Sequence, residues 1–134
     1  MCIRDRCVKF HPLIDHDDLI RSMAEYDVGL ALERPQNRNY NLTVTNKLFS
    51  YMLAGLAIAA TDTPGQREVL NQAPAAGFLY PAGDAKPPRA MLEIWLQDRA
   101  RLLQAQGAAW GAARSRFCWD IEQKSFLELL HRSA

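Results

Sequence analysis

The chain has 134 residues, 49% of them hydrophobic, enough for one domain with a core and hardly for two. Sixteen Lys and Arg stand against fifteen Asp and Glu with the signs interspersed, so bulk charge gives no basis for a nucleic-acid or anionic-membrane partner. No apolar run reaches the roughly 20 residues that span a bilayer, and no signal-peptide pattern opens the chain.

Residues 1–6, Met-Cys-Ile-Arg-Asp-Arg, read as a non-native leader, translated adapter joined to a truncated reading frame. Residues 7–10 form a strand whose exit Pro12 marks, and the structural alternative for the leader is that residues 2–5 lead into that strand. Residues 16–25 form a helix started by Asp15 or Asp17, with Leu19, Ile20 and Met23 inward. A strand over 27–32 follows, with Val28, Leu30 and Leu32 alternating, and then a polar, Asn-rich loop over 33–42.

The next stretch is the most informative. A helix begins at Thr43 or Thr45, where a hydroxyl can accept a backbone N–H, and closes at Gly55, which can take the left-handed conformation. Residues 56–60, Leu-Ala-Ile-Ala-Ala, show no alternation, as expected of a strand covered on both faces. Pro64 and Gly65 make a turn, 66–71 a short helix, 78–80 a short strand and 81–84 a further turn. From Arg89 the pattern is helical: Met91, Ile94, Trp95 and Leu102 recur at helix spacing, and Gly107 marks a break. A second helix covers 108–116, and Asp120 caps a third that carries Phe126, Leu127 and Leu130. Strands alternating with helices imply a Rossmann-like α/β fold, a parallel sheet of about four strands with helices on both faces and an exposed edge.

Ligands of such sheets bind at the carboxyl ends of the strands. The loops after Leu32, after Ala60 and before Asn46 lie at that end. On the helix from Thr45, Val44, Leu48, Phe49, Met52 and Leu53 form a core stripe, and Asn46, Lys47 and Ser50 fall opposite. That second face is either a solvated surface or, at the positive end of a helix, an anion site.

Thr45-Asn-Lys-Leu-Phe-Ser-Tyr-Met-Leu-Ala-Gly-Leu-Ala-Ile-Ala-Ala-Thr-Asp62, followed by Gly65-x-x-Glu68-Val-Leu70, resembles the C-terminal half of GT-B glycosyltransferases. More narrowly, it is similar to the retaining, nucleotide-sugar-dependent group 1, or family 4-like, enzymes, whose helix ends E-[AY]-M-A-A-G-x-P-V-V-A-[ST]-D. Tyr26-Asp-Val-Gly-Leu-Ala-Leu32, Gly77-Phe-Leu-Tyr-Pro-Ala-Gly-Asp84 and Arg116-Phe-Cys-Trp-Asp120 match further stretches of that pattern in the right order.

The resemblance, from about Val8 to the end, implies that 7–134 form part of a GT-B donor-binding domain, truncated at its N-terminus. It implies a nucleotide-diphosphate sugar donor held near Thr45, Asn46, Lys47 and Ser50, and an acceptor domain supplied by sequence upstream. No catalytic residue is identified in this half, and no cofactor or metal is implied. The family also carries two glutamates eight residues apart, the first by the donor sugar and the second on the ribose. Here Leu42 and Ser50 stand at those positions, and neither can grip a diol as a carboxylate does. Glu33 is the substitute acid, or an exposed loop carboxylate. Three functions follow: a glycosyltransferase fragment inactive alone, a non-catalytic remnant of the same fold, and a nucleotide-sugar epimerase.

Cys2, Cys7 and Cys118 are odd in number and lack metal-ligand spacing, which argues against a secreted disulfide framework and fits cytoplasmic thiols. Cys118, between Phe117 and Trp119, reads as a small buried apolar residue. His11, His16 and His131 are widely separated, so no metal site is expected.

Overall fold

A computed structural model describes residues 8–34 and 38–133. Three short strands, β1 (Val28–Ala31), β2 (Ala57–Thr61) and β3 (Gly77–Tyr80), form one parallel sheet in that order. Val28 pairs with Ala57, and Ile58 with Gly77, so β2 lies between two edge strands. All five residues of β2 are buried, which explains why its sequence shows no polar alternation.

The register sorts the sheet into two faces. Ala31, Ile58, Ala60 and Leu79 point to one side, where they meet helices α3 (Asn46–Leu53) and α4 (Pro64–Gln72). Val28, Ala57 and Phe78 point to the other, against Met91, Leu92 and Trp95 of α5 (Lys86–Gln97). Helix α6 (Arg99–Ser115) contributes to both layers: Leu102 and Ala105 join the second cluster, Ala109 and Ala113 the first. Its Gln106 Nε2 donates to the Asp27 carbonyl at 3.1 Å, just before β1. The helix thus passes the amino-terminal ends of the strands, leaving the carboxyl ends clear.

Local signals account for most element ends. Gly55 has φ 71°, and the Leu56 and Gly55 N–H groups donate to the carbonyls of Tyr51 and Met52, each at 3.0 Å. This double closure lets the chain turn from α3 directly into β2. Thr63 caps α4 by accepting from the Gln66 N–H, with Pro64 in the first turn, so the expected turn at 64–65 is itself the helix start. Asp98 caps α6 through the Arg101 N–H at 3.2 Å.

Several expectations are corrected. Val8, Lys9 and Phe10 form no strand, with Phe10 74% exposed, and Cys7 lies outside the described residues. The sheet therefore has three strands among the described residues, not four; an apolar run needs a pairing edge as well as β propensity. The loop 33–42 contains a short helix, α2 (Arg38–Leu42). The helical region starts at Lys86, because Pro87 and Pro88 fall in the first turn, where their missing N–H groups have no intrahelical partner to lose.

Gly107 does not break the chain: α6 continues through it, since a lone glycine costs only about 1 kcal/mol and Leu102, Ala105, Ala109 and Ala113 anchor both sides. Asp120 lies inside the first turn of α7 (Trp119–Ser133) rather than capping it. On α3, Leu48 and Met52 are fully buried but Leu53 is 52% exposed, about 100° from the centre of its stripe. Cys118 is half-buried. Helix α1 (His16–Met23) starts after Asp15, with Leu19, Ile20 and Met23 half-buried.

Candidate functional site

The carboxyl end of β1 delivers Glu33, α2 folds back over the loop, and residues 43–45 lead into α3. Thr45 is the residue before the helix, with extended dihedrals of φ −73° and ψ 134°, but its hydroxyl makes no capping hydrogen bond. The hydroxyl of Thr43 also departs from the expected role: it donates to the Asn39 carbonyl of α2 at 2.7 Å. From below, α4 packs its start against the same loop. A methyl group on Gly65 would lie 2.5 Å from the Thr43 carbonyl oxygen, so only glycine permits this approach. The loop before α3 is thereby held between α2 and α4.

Lys47, in the first turn of α3, reaches Glu33 across the loop, with Nζ 2.8 Å from Oε1. The Lys47 side chain is about half in solvent, whereas the Glu33 side chain is only 18% exposed. The hydrogen bond to Glu33 holds the Lys47 pKa above its ordinary value, partly opposed by burial. One turn further on, Tyr51 has its pKa raised by burial, and its hydroxyl donates to the Leu30 carbonyl at 3.2 Å. Tyr51 thus fixes α3 against the strand whose end carries Glu33.

Two concavities meet at Glu33. A polar niche of about 240 Å³ is lined by Glu33, Asn39, Thr43 and Thr45. An apolar groove of about 630 Å³ runs over the other face of the sheet, with Leu30, Leu32, Thr61 and Tyr80 as strand residues and Leu92 and Leu96 from α5. Of the four residues singled out by sequence, Thr45 lines the niche and Lys47 borders it through its ion pair. Ser50 does not line it; its hydroxyl donates back to the Asn46 carbonyl at 3.2 Å. Asn46 is exposed on the same helix turn and is not among the niche residues.

Asn39 joins the niche without a sequence signal beyond its polarity, and Thr43, read in the sequence as a possible helix start, joins it as a lining residue instead. The Glu33–Lys47 pair was also illegible, since fourteen positions and an unpredicted helix separate its members. Leu42 is 61% exposed. Among the described residues no group of three or more His, Cys, Asp or Glu is placed to hold a metal ion, and no helix is long and apolar enough to cross a membrane.

The arrangement defines a class: an open parallel α/β sheet with a polar niche at the carboxyl end of its first strand, flanked by a helix start and a paired lysine. No protein-family model, curated protein or solved structure matches the chain.

Proposed function

We propose that this chain supplies the donor-binding half of a retaining GT-B glycosyltransferase, which moves a sugar from a nucleotide diphosphate to a hydroxyl acceptor. The observation that supports it is the placement of Lys47 beside the start of α3 and against Glu33, at the carboxyl end of a parallel strand. Backbone N–H groups at a helix start, with an ammonium beside them, favour a diphosphate. Glu33, with one oxygen on Lys47, has a second oxygen to accept a sugar or ribose hydroxyl, the task for which Leu42 and Ser50 lack a carboxylate. An acceptor-side wall from another domain completes such a cleft, because transfer needs the acceptor hydroxyl oriented and water excluded.

The second reading is a non-catalytic remnant of this fold. It is favoured by Ser50, whose hydroxyl donates within the helix, and by the exposed Leu42.

Calorimetric titration of the chain with uridine and guanosine diphosphates tests the proposal, with the nucleosides as controls. Binding of a diphosphate but not of its nucleoside is the expected result, and no binding of either diphosphate would refute donor recognition. Incubation with nucleotide sugars and a hydroxyl acceptor is expected to give no glycoside from this chain alone; product formation would show that one domain suffices.

A further inference from the structure

A separate crevice lies at the opposite end of the sheet from Glu33, where Gly77 opens β3 and α6 begins. Its volume is about 360 Å³, at the small end of the range for ligand pockets, with room for a single ring rather than a nucleotide. Phe78 and Trp95 supply aromatic walls, with ring centroids 5.3 Å apart and planes inclined at 60°, and Met91 and Ile94 add apolar surface. Such walls suit an aromatic guest, since rings gain from tilted and offset contacts beyond the area they bury.

Polar groups of the crevice fix the rest of the guest. Trp95 is only 6% exposed, and its indole N–H has no acceptor among the described residues. Gln66 Oε1 is the one fully buried side-chain polar atom without a partner among those residues, so the Trp95 N–H is not sealed in the core. The little of Trp95 that is open lies in the crevice wall, where the N–H is a free donor for an oxygen. The carboxamide of Gln104, also without a partner among the described residues, lines the same crevice.

Arg101 brings a charge to the rim. Asp98 contacts its Nε at 3.0 Å, and the guanidinium fork carries further N–H donors for a second carboxylate. The first turn of α6 holds Arg99 and Arg101 and no acid, although the positive end of a helix dipole disfavours cations. Asp27 and Asp98 each pair with one of these arginines, and an anion bound at Arg101 would meet the dipole in its favoured sense.

We propose that this crevice binds a small aromatic carboxylate, with its ring against Phe78 and Trp95 and its oxygens on Arg101 and the Trp95 N–H. The site is at the far end of the strands from the niche, so the inference is independent of the donor-binding proposal.

Phenylacetate is the probe, and phenylacetamide, of the same shape but uncharged, is the control. The indole ¹H–¹⁵N resonances of the three tryptophans are followed by NMR in the whole chain, assigned with Trp110→Phe and Trp119→Phe. Phenylacetate is expected to shift the Trp95 resonance saturably, with a Kd of about 1 mM or tighter, and phenylacetamide to bind about three- to tenfold more weakly. Arg101→Gln should erase that difference, and because the Arg101 side chain is 66% exposed the change leaves the core intact. The absence of a saturable shift at Trp95, a shift at Trp110 or Trp119 alone, equal affinity for acid and amide, or a difference that survives Arg101→Gln would overturn the assignment.

Discussion

Gly29 of β1 and Tyr51 of α3 are packed so closely that a methyl group on Gly29 would lie 2.3 Å from the Tyr51 Cγ. The contact falls at the root of the aromatic ring, which cannot swing aside without moving α3. The Tyr51 hydroxyl meanwhile donates to the neighbouring Leu30 carbonyl. Strand and helix are thus tied at two points, a few residues from the Glu33–Lys47 pair.

Gly29→Ala is therefore expected to destabilise the fold by about 1–3 kcal/mol, the range for overpacking a buried site. Urea denaturation measures it. Stability equal to wild type would show that the Tyr51 ring yields at no cost.

Lys47→Ala should weaken binding of a nucleoside diphosphate by about 1–3 kcal/mol, the range for losing a charged hydrogen bond. The same change should cost the fold little, since the Lys47 side chain is 55% exposed and such pairs contribute at most about 1 kcal/mol. Calorimetry and denaturation run on one preparation separate the two effects. Equal affinity in wild type and variant removes Lys47 from the site.

Alkaline pH should loosen the fold in a defined window. Lys47 is raised above its ordinary 10.5 by the bond to Glu33, and Tyr51 and Tyr80 above their ordinary 10.0 by burial. In each case the folded chain holds the proton more tightly than the unfolded one. Their contribution is complete below pH 10 and is lost as pH rises through the raised values. Tyr51→Phe should flatten this decline, at the cost of the bond to Leu30. An identical pH profile for the variant would exclude Tyr51 as a contributor.

Two glycines should respond oppositely to alanine. Gly55 sits at φ 71°, where a Cβ is strained, so Gly55→Ala is expected to cost about 1 kcal/mol. Gly107 lies inside α6 with open space around its Cα, so Gly107→Ala should stabilise the fold by about 0.5–1 kcal/mol. Thermal denaturation distinguishes them. A lower melting temperature for Gly107→Ala would restore it to the role of a break.

What the sequence determined by itself was local. The stop at Gly55 and the unbroken apolar run of β2 depend on residues a few positions apart, whose conformational preferences act within one turn. The tertiary structure decided the rest. Val8 to Phe10 have a strand's composition but no pairing, because a strand needs a neighbour and propensity cannot supply one. Gly107 has a breaker's composition but sits in a helix whose small residues are buried on both sides of it. Glu33 and Lys47 were each visible as charges near the carboxyl ends of strands. Their pairing was not, because it depends on where α2 and α4 hold the loop between them, and long-range packing leaves no periodic trace in sequence.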